Sequence, residues 1–218
     1  ISMNRIVALK VLSKNMTGND DVIEQFRKEV QLSGKLEHPN IVRAIDAGET
    51  EKYYYMAITY VDGEDYQKVL DRKKVIPEAQ ALNGVIKIAE VLSYAWDKHS
   101  LLHKDVKPGN IMINSKGDVF LVDLGIAQSF DFKKKDADGH VFGSPFYMSP
   151  EQAQRLNLDW RSDLYSLGAT FYHMTVGLPP YDAKTVPTII DMHTSAPFPE
   201  PKTRNPSAKL SPDIVSLM

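Results

Sequence analysis

The chain changes character once, at Asp62-Gly63, and that change restricts the fold more than any other feature. Before it, apolar residues come in short β-branched or aromatic runs: IVALKVL over 6–12, a second run over 41–47, and YYYMAITY over 53–60. Runs of this kind read as strands. Between the first and second lies 20–36, where Val22, Phe26, Leu32 and Leu36 fall along one side of a helix, and His38-Pro39-Asn40 breaks it. After Gly63 the helical period dominates. Pro77 is expected to open a long helix with Leu82, Val85, Ile86, Ala89 and Leu92 at helical spacing. Residues 160–176 are apolar on nearly every side, which suits a central buried helix. The exception is 111–122, where IMIN and VFLV flank an SKGD turn and predict a β-hairpin. The final stretch is rich in proline and is expected to loop over the surface. Strands with a single helix, followed by helices, predict an α+β protein. Its small β-rich lobe would span 1–62 and its larger, mainly helical lobe 63–218, with the joint near 60–63.

Composition narrows the function classes. A net charge of −2 on 218 residues argues against a protein that mainly grips nucleic acid or an anionic membrane. The chain has no cysteine, which excludes disulfides, thiolate metal sites and a cysteine nucleophile. No apolar run approaches the ~18 residues that would span a bilayer. No signal peptide is visible. The segment is expected to be cytoplasmic and to make no membrane contact itself, whatever an adjoining anchor does.

The hairpin carries the first chemistry. Asn110 immediately precedes its first strand and Asp123 closes its second. Antiparallel pairing puts both at the same open end. Together they offer hard oxygen ligands, which suit Mg²⁺. Upstream, Asp105 lies in the octapeptide HKDVKPGN over 103–110. A carboxylate there can accept the proton of an attacking hydroxyl, and Lys107 can neutralise charge on a transferred phosphoryl group. Taken singly, each of these residues fits an ordinary polar loop. The whole octapeptide at this distance from Asp123-Leu124-Gly125 does not.

In the first strand, alternation places Ile6, Ala8 and Lys10 on one face. A lysine there either snorkels at a sheet edge or needs an anion. The following helix supplies Glu29 close to its apolar stripe, where a carboxylate also needs a partner. An ion pair resolves both mismatches.

These segments, in order, resemble the motifs of protein kinases. VALK over 7–10 resembles the lysine strand, HKDVKPGN the catalytic loop, and Asp123-Leu124-Gly125 the metal-binding triplet. Ser149-Pro150-Glu151 resembles the end of the activation segment, and RSDLYSLG over 161–168 the motif of the central helix. GSPFYMSPEQA and the later NPSAKLSP are most similar to bacterial serine/threonine kinases of the eukaryotic type. The resemblance covers essentially the whole chain and implies a bilobal kinase fold, ATP and Mg²⁺ (with Mn²⁺ as a substitute), and protein substrates bearing serine or threonine. It implies that Lys10 holds the α- and β-phosphates and pairs with Glu29. Asp105 would be the base, Lys107 would steady the γ-phosphate, and Asn110 and Asp123 would hold the metal. Adenine would lie between Ala8 and Met112, with Ile58 as gatekeeper and the backbone of Thr59 and Val61 on its edge. Asp65 would reach the ribose. Ser144 would belong to the substrate platform, bridging base and lysine as the usual threonine does. Asp163 would brace the catalytic loop.

The sequence departs from the family in several places. No glycine-rich phosphate loop precedes Lys10, and the chain stops before the family's last helices, which supply an arginine for Glu151. A longer polypeptide carrying both is the expectation. Lys104 stands where arginine is usual and Leu124 where phenylalanine is. The stretch FDFKKKDADGHVFG over 130–143 contains no serine, threonine or tyrosine, so activation-loop phosphorylation is not expected to be the switch. Contacts of its lysines with Asp136 or Asp138, a partner, or a homodimer would order the loop instead. His38, His99, His140, His173 and His193 lack metal-like spacing and read as structural or surface residues. Two other functions compete: a pseudokinase that regulates partners by binding, and a small-molecule kinase, which would lack the Ser149-Pro150-Glu151 platform.

Overall fold

A computed structural model describes residues 5–14, 20–123 and 145–217, with side chains from Val22 onward in the second of these stretches. Leu124, Gly125, Ser129, the stretch 130–143 with Lys133, Lys134, Lys135 and His140, and Ser144 lie outside the described residues.

The strand-forming runs build two small antiparallel sheets. The first contains β1 (Val7–Ser13), β2 (Ala44–Glu49) and β3 (Tyr53–Thr59) in the order β1-β3-β2. β1 pairs along its whole length with β3, setting Lys10 opposite Met56 and Ala8 opposite Ile58. The helix α1 (Asp20–Ser33) belongs with this sheet and buries Phe26, Glu29 and Ser33. It ends earlier than its apolar spacing suggests, because a turn at Gly34 intervenes before Leu36, which is still buried. Val22 is 37% exposed, so the expected apolar stripe starts at Phe26.

The second sheet, β4-β5-β6, holds the expected hairpin: β5 (Ile111–Asn114) and β6 (Val119–Leu121). Asp62-Gly63 is more than a turn, because β4 (Gly63–Asp65) adds a third strand beside β5. Ile41 lies outside β2 since its backbone serves the other sheet. It forms a parallel bridge to Leu121, the Val42 N–H donates to the Leu121 carbonyl, and the Leu121 N–H donates to the Asn40 carbonyl. These bonds tie the segment after α1 to the hairpin.

Helices make up the remainder: α2 (Tyr66–Lys73), α3 (Glu78–His99), α4 (Pro150–Ala153), α5 (Trp160–Val176), α6 (Val186–Ser195), α7 (Pro201–Arg204) and α8 (Pro212–Leu217). Pro77 is the N-cap of α3, immediately outside the helix. The face of α3 that packs inward is Ala81, Gly84, Ile88, Val91 and Ala95, while Ile86 is exposed. Leu82, Val85, Ala89 and Leu92, expected there, lie on the flanks, partly buried against the same core. A β-carbon on Gly84 would stand 2.9 Å from the buried Tyr66 hydroxyl oxygen. The helix α5 runs through the core, with Leu167, Phe171, Tyr172, Met174 and Val176 buried. Full burial of side chains this size stabilises by about 1.5–3 kcal/mol each. Asp159 caps its start and Gly177, at φ +84°, ends it with an N–H bond to the His173 carbonyl.

The proline-rich tail is only in part the expected surface loop. Pro197, Pro199 and Pro206 lie in connecting loops and turns, but three other prolines stand at helix starts, where their fixed φ and missing N–H cost nothing: Pro187 and Pro201 lie in the first turns of α6 and α7, and Pro212 begins α8. Ile189 and Ile214 are buried from this region.

One glycine at the joint is under tight steric control. A β-carbon on Gly63 would fall 2.1 Å from the Ile113 carbonyl oxygen and 2.8 Å from the Asn114 α-carbon, both backbone atoms in the paired strand. Gly63→Ala is therefore expected to destabilise the protein by about 1–3 kcal/mol. Urea unfolding measures this, and an unchanged midpoint would show that β4 moves freely.

Candidate active site

Two groups of side chains converge where the sheets meet the helical part. In the first, Lys10 reaches from β1 between two carboxylates. Its Nζ lies 2.6 Å from Glu29 Oε1 on α1 and 2.8 Å from Asp123 Oδ1 after β6. Strand alternation turns Lys10 to the same face as Ala8. Burial is the largest influence on the Lys10 pKa and pulls it down, but Asp123 and Glu29 outweigh it, and the net direction is up. Glu29 also moves up, because burial outweighs the opposing pull of Lys10. The Lys10 ammonium is the group that opposes this shift at Glu29.

The second group is the segment 103–110. Lys107 Nζ lies 2.7 Å from Asp105 Oδ2, and the Asn110 amide donates to the Asp105 carbonyl at 2.8 Å and to Oδ2 at 3.1 Å. A turn of 3₁₀ helix over Pro108–Asn110 sets this spacing, and the Asn110 carbonyl accepts from the Val122 N–H beside Asp123. Asn110 and Asp123 are therefore held at one end of the hairpin by a backbone bond.

Deeper supports fix the loop. Asp163, buried on α5, accepts from the backbone N–H groups of His103 and Lys104, both at 2.7 Å. Burial pushes its carboxyl up, while His103 and those amides oppose the shift. Gln152 donates to the Lys104 carbonyl, and Thr170 donates to the Val106 carbonyl. His103 is buried, and that burial lowers its pKa against the opposing charges of Asp163 and Asp105. Lys104 at φ +68° and Asp123 at φ +50° both take the left-handed backbone that L-residues usually avoid.

The remaining residues singled out from the sequence fall around these groups. Ala8 and Ile58 are paired across β1 and β3, and Met112 is paired with Asp65 across β4 and β5. Thr59 donates its N–H to the Arg43 carbonyl at 2.9 Å, so only its carbonyl is left for an adenine edge. Val61, half-buried, lies in the link between the sheets. Asp65 has an occupation that the sequence reading missed. It caps α2, accepting from the Lys68 N–H at 2.9 Å and pairing with Lys68 Nζ at 3.1 Å. Glu151, expected to await an arginine, accepts from the Ser162 hydroxyl at 2.5 Å. Gln152, Thr170 and Asn40 also escaped the sequence reading. Only Gln152 had a legible signal, as the last member of the Ser149–Gln152 capping box.

The donor set can be tested against a divalent ion. Among the described residues no cluster of three or more histidine, aspartate or glutamate side chains could hold a metal. Asn110 and Asp123 provide two oxygen-bearing side chains, and Asp123 keeps 49% of its side chain exposed. That fits Mg²⁺, which retains water and takes phosphate oxygens beside one or two protein ligands.

The model of the protein kinase domain matches residues 1–218. The serine/threonine-protein kinase pkn3 of Myxococcus xanthus is 33% identical over 100% of the chain, and PrkC of Bacillus subtilis is 32% identical over 100%. PknB of Mycobacterium leprae is 32% identical, also over 100% of the chain. The chain spans 41%, 33% and 36% of those relatives' own lengths. With the lysine–glutamate pair, the catalytic-loop octapeptide and the full-length domain match in hand, the chain belongs to the protein kinase domain family.

Proposed function

We propose that this chain is the catalytic part of a protein serine/threonine kinase, which passes the γ-phosphate of ATP to serine or threonine hydroxyls of protein substrates. The observation that carries the reading is the convergence of Lys10, Glu29 and Asp123 with Asp105, Lys107 and Asn110 at the junction of sheet and helices. Homologues named serine/threonine-protein kinases support it.

In this reading Lys10 swings between Asp123 and phosphate oxygens while Glu29 keeps its ammonium in place. Asp105 takes the proton of the incoming hydroxyl at its carboxylate. Lys107, already within 2.7 Å of that carboxylate, lies where it can neutralise charge on the group in transfer. Asn110 orients Asp105 through its amide N–H. Asn110 and Asp123 would hold Mg²⁺, or Mn²⁺ in its place. Bound there, the ion would offset the negative charge of the phosphate groups. Ala8, Ile58, Met112 and the backbone at Thr59 and Val61 would enclose the adenine, and Ser144 would face the substrate. Asp65 is a weaker candidate for the ribose, because its carboxylate caps α2.

The choice of serine and threonine over tyrosine rests on Lys107, which follows the base at the position where dedicated tyrosine kinases usually lack a lysine. Incubation with labelled ATP and generic protein substrates, followed by phosphoamino-acid analysis, is expected to yield phosphoserine and phosphothreonine. A product dominated by phosphotyrosine would overturn the specificity. No transfer to any protein would overturn the function.

A further inference from the structure

The stretch 106–109 of the catalytic loop is bracketed by two supports that the kinase motifs do not account for. On one side, Thr170 on α5 donates to the Val106 carbonyl at 3.2 Å. One turn further along the same helix, His173 Nδ1 lies 2.6 Å from the Tyr147 hydroxyl, and the two rings stack at 5.9 Å. On the other side is α2. A β-carbon on Gly109 would stand 3.9 Å from Gln67 Cβ, so α2 lies directly against the loop. The far end of α2 is pinned to the end of α5. A β-carbon on Gly177 would fall 2.6 Å from the Lys74 carbonyl oxygen, and the Ile76 N–H donates to the Met174 carbonyl at 2.7 Å.

Asp71 lies between these two fixed points. It shares a side of α2 with Gln67, whose amide donates to its Oδ1 at 2.9 Å. Asp71 is exposed, and three observations set it apart. It is the only acidic residue within α2. It stands in the last turn, where the helix dipole disfavours a negative charge. The cations nearest to it in sequence are turned elsewhere: Lys68 pairs with Asp65 at 3.1 Å, and Arg72 with Glu64 at 2.6 Å. Among the described residues no cation pairs with Asp71. His173 does not compensate either, because burial brings its pKa down to about 4 against the pull of Asp71. Tyr147 is pushed up first by burial and then by the charges of Asp105 and Asp71, in keeping with a place for Asp71 on the rim of the site. A carboxylate that its own helix disfavours, held beside the catalytic loop, calls for a cation from outside.

We infer that Asp71 is a specificity-determining residue: its carboxylate receives the side chain of a lysine or arginine of the protein substrate, a few residues from the acceptor hydroxyl. Gln67 fixes the carboxylate through Oδ1 and leaves Oδ2 for the incoming cation. The spacing follows from the loop. Gln67 lies against Gly109, four residues from Asp105, and an extended substrate advances about 3.3 Å per residue. The inference rests on the kinase reading above.

The test uses serine peptides that differ at one position, which holds either arginine or its neutral isostere citrulline. That position is walked through the residues on both sides of the serine. At one position the parent is expected to show a kcat/KM about fivefold higher for arginine, mostly through KM, which is the upper end of what one exposed charge pair supplies. The ratio should shrink as salt is added. Asp71→Asn keeps the shape of the side chain and is expected to bring the ratio close to one. Asp71→Arg is expected to invert the preference, so that glutamate at the same position outperforms arginine. A merely structural role for Asp71 would not reverse a charge preference. An arginine-to-citrulline ratio that Asp71→Asn leaves unmoved, or a parent that favours arginine at no position, would overturn the inference. If the parent phosphorylates no peptide at all, the functional reading fails separately. Fluorescence anisotropy of the labelled peptides then decides the subsite: tighter binding of the arginine peptide to the parent, lost in Asp71→Asn, supports it, and equal binding of the two peptides overturns it.

Discussion

Asp123→Ala is expected to reduce phosphoryl transfer at least a thousandfold while leaving the protein folded. The size of the effect follows from where the charge lies. Asp123 and Asn110 stand at the open end of the hairpin, joined through the Val122–Asn110 backbone bond, and Asp123 is the only carboxylate of the two. A metal there supplies several kcal/mol of charge stabilisation in the transition state, and each 1.36 kcal/mol is about tenfold in rate. The cost in stability is small by comparison. The ion pair between Asp123 and Lys10 joins side chains 49% and 35% exposed, a class worth about 0–1 kcal/mol. Lys10 keeps Glu29 as its partner when Asp123 is gone. Alanine at φ +50° adds a strain of about 1–2 kcal/mol that asparagine tolerates better. Asp123→Asn is therefore the cleaner companion, removing the charge and keeping both shape and backbone preference. Initial rates at saturating Mg·ATP, set beside the thermal midpoint, decide the matter. Near-normal turnover in either variant would remove Asp123 from its proposed role.

The residues of the site were legible in the sequence because a few local spacings bring them together. The hairpin turn alone puts Asn110 and Asp123 at one end, and strand alternation alone turns Lys10 to the side of Ala8. The long helices were legible for a related reason: apolar residues recur at helical spacing along α3, and in α5 they cover nearly every side over many turns. The face of α3 that packs inward was not. The sequence offers several apolar stripes there, and the close approach of Tyr66 to Gly84 selects the one that runs through Ala81, Gly84, Ile88, Val91 and Ala95. The tail misled because proline marks both loops and helix starts, and the distinction depends on what the next turn packs against. The supports of the catalytic loop are the least legible of all. Thr170 and Gln152 act through single bonds to the distant carbonyls of Val106 and Lys104, and no periodicity records such a bond.

Asp163 is the support whose removal should be felt most. Its two oxygens accept the N–H groups of His103 and Lys104, each at 2.7 Å, in a setting where the side chain is buried and water is excluded. Asp163→Ala leaves both amides without a partner, at about 1–3 kcal/mol apiece. A total of about 2–6 kcal/mol is a large share of the 5–15 kcal/mol that holds a domain together. Lys104 adds to the burden, because its backbone at φ +68° persists only while the surroundings impose it. Without the carboxylate the loop can relax, carrying Asp105 away from Lys107 and Asn110, so activity should fall even in molecules that remain folded. Asp163→Asn discriminates between loss of shape and loss of acceptors. It fills the same space, but its amide nitrogen faces one backbone N–H donor with another. Both variants are accordingly expected to lose stability, with asparagine recovering about one of the two bonds. Urea unfolding followed by circular dichroism measures the loss. An Asp163→Ala midpoint equal to the parent's would show that the loop holds its shape without this residue.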